Sequence, residues 1–283
     1  MMIDKTITTP SLLVKEINKD IAGVFTQEHH YSPVFPKLTK HYLGIFNEET
    51  NVLVGVLTLG WGTQPRQTIK KLFPSLDTQD YLEIGKMCMT DEMPTNSETQ
   101  MMKQVVRWIK KNRSDVSLLY TMADGIMGKP GYVYQAFNFY YGGSYWTDSF
   151  MTETGEKVHP RSMRKVLEDN AMWLRKNTKW NNKKLFWPTL EYLNIIKMKR
   201  IKGMMFRYMY PLNKQGKHLL QDNQATWSFQ TNYPKTSDLQ WKQQTDKGYV
   251  QIPQPHFNYD DVQYNTKNVN QFNKSNASLE SWL

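Results

Sequence analysis

The sequence predicts an α/β (α+β) chain in which helices flank a mixed sheet and a basic segment follows toward the C-terminal side. Three observations carry this. Apolar runs of strand length, rich in Val, Ile, Leu and aromatics, recur at 41–46 (HYLGIF), 51–60 (NVLVGVLTLG) and 80–90 (DYLEIGKMCMT). Met101, Met102, Val105, Trp108 and Ile109 then mark one face of a helix. Finally, residues 117–143 (SLLYTMADGIMGKPGYVYQAFNFYYGG) read as strand, glycine-rich loop and short helix, an order that delivers side chains to the end of a sheet.

In chain order, Ser11 to Lys19 is helical in pattern and opens the fold with a leading strand. The runs at 41–46 and 51–60 make a hairpin around the acidic turn Asn47-Glu48-Glu49-Thr50. Thr95-x-x-Glu98 has the form of a capping box, which predicts a helix start near Asn96. Ser117 to Met122 is a strand ending at Asp124-Gly125. Tyr132 to Tyr141 is a helix, so Tyr134 and Asn138, four residues apart, share a face. Ser144 to Met151 and Glu153 to Val158 pair around Thr154-Gly155. Helices are expected at Arg161 to Asn177 and at 183–200, starting near Pro188, and a strand at 203–212. Residues 1–213 form the main domain, with the basic segment 161–217 at its end. Residues 214–283 form a polar, partly ordered extension, rich in Asn, Gln, Asp and Tyr toward its end.

The chain has 283 residues and 39% hydrophobic content, enough for a substantial core. No apolar run approaches membrane-spanning length, and the N-terminus lacks a signal-type apolar core. The single Cys88 excludes an internal disulfide and fits a cytoplasmic protein; its apolar strand context makes it a buried, inert thiol. The net charge is +10. Between Arg161 and Lys217 stand fifteen Lys and Arg against three acids, so that span carries +12 and the remainder −2. Aromatics such as Trp173, Trp180, Trp187 and Tyr208 are interleaved through it, the pattern of a phosphate-backbone binder or of a solvated basic face. P-loop, CxxC, HExxH and GxSxG patterns are absent.

Several blocks stand out in order. His30-Tyr31-Ser32 offers an imidazole and a phenol. Glu83-Ile84-Gly85-Lys86 lies in a strand. Pro94-Thr95-Asn96-Ser97-Glu98-Thr99 precedes a helix. Asp124 and a glycine-rich loop lead to Gly131-x-x-Tyr134-Gln135-Ala136-x-Asn138-x-x-Tyr141-x-Gly143. Gly155 to Ser162 contains His159 and Arg161, Phe206-Arg207-Tyr208-x-Tyr210 forms a strand, and Tyr233-Pro234-Lys235 follows. Together, from about His30 to Lys235, these resemble the Mom family of phage DNA-modification proteins, whose fold is similar to the GNAT acyltransferases. The resemblance implies a GNAT-like, largely antiparallel mixed sheet. Where that family has Glu-Leu-x-Arg, this chain has lysine at 86, which keeps the charge and loses the planar guanidinium fork.

The resemblance implies an enzyme that substitutes the N6 amine of adenine in double-stranded DNA with a carbamoylmethyl group, in the host cytoplasm, to defeat restriction. It places His30, Tyr31, Ser32, Asp124, Tyr134 and Asn138 in catalysis. His30 or Asp124 would take the proton, and Tyr31 or Tyr134 would protonate the leaving group. Lys86, Asn96, Ser97, Thr99, Gln135 and Phe139 would bind substrate or a small-molecule group donor, whose identity stays open along with the oligomeric state. His159, Arg161, Arg164, Lys165 and Arg207 would contact DNA. Iron is associated with the family, and His30, Tyr31 and Asp124 are an N/O set suited to it. Acetyl-CoA is disfavoured, because the turn at 90–99 has no glycine and carries Asp91 and Glu92 where a diphosphate would need bare amides. Two alternatives stand beside this reading: a CoA-dependent acyltransferase acting on another amine, and a non-catalytic DNA-binding or host-inhibitory protein.

Overall fold

A computed structural model describes residues 10–32, 35–62, 65–66, 69–160, 162–163, 166, 176, 188–222 and 232–258. Its sheet runs in the order β1-β2-β3-β4-β5-β8-β6-β7, with β9 beside β8 and β10 beside β9. All described pairs are antiparallel except β4 with β5, so the sheet is mixed and largely antiparallel, flanked by helices, as the sequence implies.

β1 (Leu12–Glu16) pairs with β2 (Thr39–Asn47), and α1 (Lys19–His29) lies between them in sequence. This corrects the expected helix at Ser11 to Lys19. Leu12 is buried and Leu13 exposed, the alternation of a strand, and Asn18 starts the helix by accepting from Ile21 N–H at 2.7 Å. The hairpin of β2 and β3 (Leu53–Gly60) forms as expected. Asn47 closes its turn by accepting from the amides of Glu49 and Thr50. Every residue of β3 is buried, which sets it at the centre of the sheet's first half.

After the short α2 (Ile69–Leu72), β4 (Tyr81–Met89) leads into α3 (Ser97–Asn112). α3 buries Met101, Met102, Val105, Val106 and Ile109 against Leu57, Leu82 and Leu119 in the main core. The expected capping box does not form. Asn96 takes a left-handed conformation (φ 72°) and makes no side-chain cap bond, while Ser97 Oγ donates to Pro94 O at 2.6 Å.

β5 (Leu118–Asp124) ends in a single 3₁₀ turn, Gly125–Met127, and α4 follows at Tyr132–Ala136. The predicted helix to Tyr141 stops early, because Asn138 is left-handed (φ 60°) and β6 begins at Tyr140. Tyr134 and Asn138 therefore do not share a helical face. β6 (Tyr140–Met151) and β7 (Lys157–Val158) pair as expected. The basic helix expected at Arg161 to Asn177 lies largely outside the described residues. α5 is only Leu190–Ile195, capped by Thr189, because Lys197 turns left-handed (φ 53°) and β8 (Lys199–Pro211) starts.

Beyond it comes α6 (Lys214–Gln221), and then β9 (Trp241–Thr245) and β10 (Gly248–Ile252) add to the same sheet, β9 pairing with β8 at Ile201–Gly203. No helix among the described residues is long and apolar enough to cross a membrane.

One close approach fixes the loop before α4. Gly131 has φ 95°, and a Cβ there would lie 2.6 Å from the Tyr208 ring. We expect Gly131→Ala to cost about 2 kcal/mol or more in denaturant unfolding, from the combined strain and clash.

Candidate active site

β4 and β5 run together for only three pairs, Tyr81–Glu83 against Leu118–Tyr120. Immediately after them, Gly85 is an extra residue in β4 relative to β3: Leu59 pairs with Ile84 and Thr58 with Lys86. Only glycine fits that bulge comfortably, since a Cβ would stand 3.0 Å from both Pro36 and Thr58. Past this point the strands separate. A cavity of about 550 Å³ fills the wedge, lined by Ile84 to Met89 of β4 and Thr121 to Asp124 of β5. The end of α1 supplies His30 and Tyr31, the loop after β5 supplies Lys129, and α4 supplies Tyr134.

The polar groups here form one network. His30 stacks on Tyr31 at 4.3 Å between ring centroids, and its Nδ1 accepts from Ser32 N–H at 2.9 Å. That bond fixes the neutral tautomer with its proton on Nε2. Burial, with the ammonium groups of Lys86, Lys129 and Lys157, lowers the imidazole pKa to about 3. Lys86 Nζ donates to Ser32 Oγ at 2.8 Å, and burial followed by repulsion from Lys157 brings its pKa down to about 8. Asp124 accepts from Lys157 Nζ at 2.5 Å through Oδ2 and from Ile126 N–H at 3.0 Å through Oδ1. Lys129 and Lys157 lie 4.9 and 5.9 Å from the centre of the Tyr31 ring. Burial raises the Tyr134 phenol, against a hydrogen bond with the Thr121 side chain.

The fold thus brings together His30, Tyr31, Asp124, Tyr134 and Lys86, with Ser32 bonded to Lys86. Others fall elsewhere. Asn138 is exposed in its left-handed turn. Asn96, Ser97 and Thr99 sit at the start of α3, where Asp91 and Glu98, not they, line the cavity. Gln135 is buried behind α4 and donates to Pro130 O, Tyr208 Oη and Pro234 O. Phe139 is fully buried core, packed on Tyr134 and Tyr210. His159 is exposed just past β7. Arg207 stacks on Tyr145 at 4.4 Å and hydrogen-bonds Tyr120. Arg161, Arg164 and Lys165 lie outside the described residues. Cys88 is buried, and burial raises its thiol to about 11, so it is inert as expected.

The arrangement around His30, Tyr31 and Asp124 does not fit a metal cation. His30 Nδ1 and both Asp124 oxygens are engaged, and three ammonium groups share the space. Among the described residues no group of three or more His, Cys, Asp and Glu side chains is placed to hold one.

Three residues were missed as site residues by sequence reasoning. Lys129 and Lys157 complete the cationic cluster, and Glu83 stands at the apex of the wedge. The Glu83–Tyr120 pair is the last before β4 and β5 separate. Burial raises the Glu83 carboxyl to about 7, and burial, with the Glu83 charge behind it, raises the Tyr120 phenol. Left-handed Gly62 (φ 69°) packs on that carboxyl, where a Cβ would fall 2.0 Å from Oε2. The block Glu83-Ile84-Gly85-Lys86 contained the signal, but plain alternation puts residues three apart on opposite faces, and only the bulge at Gly85 brings Glu83 and Lys86 to the same face.

With this geometry in view, the comparisons with known proteins place the chain. Residues 11–235 match the Mom protein family, and the chain belongs to it. "Methylcarbamoylase mom" of Escherichia phage Mu is 29% identical over 209 residues, covering 71% of this chain and 83% of the relative. Among solved structures, an N-acetyltransferase from Staphylococcus aureus Mu50 aligns with TM-score 0.33 and 12% identity, over 72% of this chain and 99% of that one. A GNAT family acetyltransferase from Elizabethkingia anophelis with acetyl-CoA bound aligns with TM-score 0.31 and 10% identity, over 71% and 97%. These structural likenesses are too distant to bear on function.

Glu83 gives the site a pH signature. Its folded pKa lies above its unfolded value, so its contribution is complete below about pH 4.5 and lost as pH rises through about 7. Glu83→Gln should flatten the decline in unfolding free energy across that window relative to the wild type. An identical decline in both proteins would show that Glu83 is not the group that titrates.

Proposed function

We propose that this protein modifies DNA by placing a small substituent, a carbamoylmethyl group on the pattern of its family, on the exocyclic N6 amine of adenine. The observation that carries the reading is the membership of residues 11–235 in the Mom family, with five of the candidate site residues, His30, Tyr31, Lys86, Asp124 and Tyr134, lining one cavity. Such a substituent changes the donor that adenine presents in the major groove and adds bulk there, which blocks restriction enzymes that read it. Reaching the amine calls for a base taken out of the stack. The cavity, open between β4 and β5 with Tyr31, Tyr132 and Tyr134 among its lining, offers aromatic faces to receive it.

Geometry sorts the candidate groups. His30 already carries its proton on Nε2 and is held neutral far below its usual range, so it serves as a hydrogen-bond donor rather than a base. Asp124 is the carboxylate on the same wall and is the better acceptor for the amine proton. Lys157 orients that carboxylate through the 2.5 Å contact. Lys86, with its ammonium pKa near 8, can give a proton to a leaving group near neutral pH. The DNA backbone would meet the basic segment 161–217 through Arg161, Arg164, Lys165 and Arg207, with His159 just ahead of it. The host cytoplasm, where phage DNA is exposed to restriction, is where the activity would be used.

Nucleosides digested from plasmid DNA after expression in a bacterial host should include a deoxyadenosine heavier by one carbamoylmethyl group. Asp124→Asn keeps an oxygen for the Ile126 amide while removing the charge, and should lower that species by about 100-fold or more, the usual scale for losing a general base. Full modification by the Asn variant would remove Asp124 from the mechanism. Absence of any adduct with soluble wild-type protein would speak for a binding-only role.

A further inference from the structure

We propose that the cavity between β4 and β5 receives an anionic small molecule whose carboxylate or phosphate group is held by Lys86, Lys129 and Lys157. The proposal deepens the function above by naming the chemical class of the group donor, and it rests on that reading for the word donor. The binding site itself stands on geometry.

Three ammonium groups act together on His30. The carboxylate that shares their end of the cavity is Asp124, and Lys157 holds it at 2.5 Å. Lys86 is satisfied only by the hydroxyl of Ser32, and Lys129 by the face of the Tyr31 ring. Among the described residues neither has a carboxylate partner. Three ammonium groups thus share this end of the cavity with one carboxylate, Asp124, which pairs with Lys157 and also acts on Lys86. Like charges removed from water repel strongly, and a protein seldom collects them without an anion to meet. The cavity's other acids, Asp91 and Glu98, belong to the α3 side, and neither figures among the charges acting on His30 or Lys86.

The remaining groups suit the same ligand. Nε2–H of His30 adds a neutral donor, and the neutrality of that imidazole avoids a fourth positive charge in the cluster. Lysines grip an anion as point charges without demanding a planar, bidentate geometry, so a carboxylate and a phosphate both satisfy them. The cluster is formed from three separate places: β4 for Lys86, the loop after β5 for Lys129, and β7 for Lys157. Half-buried Lys86 and exposed Lys129 line the cavity, and Lys157 adjoins it through Asp124, so three elements bring their charges to one end of it. Its position between the strands also separates it from the start of α3, where a coenzyme diphosphate would meet Asp91 and Glu98.

The test is calorimetric titration and thermal denaturation of the full chain at pH 7, with sodium acetate and with inorganic phosphate as probes. We expect saturable binding of one anion per chain and a rise in melting temperature with probe concentration. The probe that binds more tightly tells whether the group is a carboxylate or a phosphate. Lys86→Met and Lys129→Met should each weaken that binding about tenfold or more, since each removes one charge-assisted contact. Without probe, Lys86→Met should melt no lower than the wild type, because it removes a buried like charge; if it fails to fold, Lys129→Met decides. Lack of saturable binding by either probe, or equal affinity in wild type and variants, overturns the proposal. Nucleoside mass spectrometry separates the two readings. Anion binding that needs the lysines, with no adenine adduct from any donor, keeps this site and removes the adenine function. Adducts formed by a protein that binds neither probe remove this site alone.

Discussion

The separation of β4 from β5 is the constraint on which the rest of the molecule depends. Two parallel strands held by three residue pairs cannot stay together once Gly85 adds a residue to one of them, and backbone groups beyond that point lose their partners across the gap. A wedge in a sheet would be a defect if it were left open in the core. Here it is lined by α4, by the residues at the end of α1 and by Glu98 of α3, while β8 pairs along the other edge of β5 for its whole length, from Leu118 to Asp124. The result is an opening walled by rigid strands on both sides. Side chains from five parts of the chain can be set there to within a fraction of an ångström, which loops alone do poorly.

Electrostatics then decides what the opening is for. Burial raises an acid and lowers a base, and both effects occur within a few residues on β4: Glu83 is pushed to about 7 and Lys86 to about 8. Those two groups flank the bulge at Gly85, one just before the strands separate and one just after. Pairs of titratable groups whose environments push them toward the middle of the scale are characteristic of acid–base sites. Asp124 is held differently, its two oxygens fixed by Lys157 and by the Ile126 amide. His30, the residue that looks most catalytic in sequence, is tied by Ser32 and surrounded by cations, and acts as part of the wall.

How much of this was legible beforehand follows from the physics of each element. The β2–β3 hairpin and the buried face of α3 were readable, because their apolar patterns repeat locally at periods of two and of three to four residues. The block order led to His30, Tyr31, Asp124, Tyr134 and Lys86, which meet in space. Ser11 to Lys19 was misread because five residues cannot distinguish a strand from a helical turn until pairing with β2 is known. The helix at Tyr132 was drawn too long because nothing local announces that Asn138 adopts φ 60°. Lys129 and Lys157 were invisible for another reason. Lysine is common on surfaces, and only tertiary closure shows that these two act on His30, Lys129 lining the cavity and Lys157 adjoining it through Asp124.

The central claim is that chemistry takes place in the wedge between β4 and β5, and filling the wedge tests it most directly. Met87 lines the cavity from β4 and is only partly buried, so Met87→Trp should occupy the space while leaving the core of the sheet intact. The measurement is the amount of modified deoxyadenosine in DNA from cells making this variant, with circular dichroism confirming the fold. The account predicts a folded protein and no modified nucleoside. Wild-type levels of modification from a folded Met87→Trp protein would contradict it and move the active site elsewhere on the molecule.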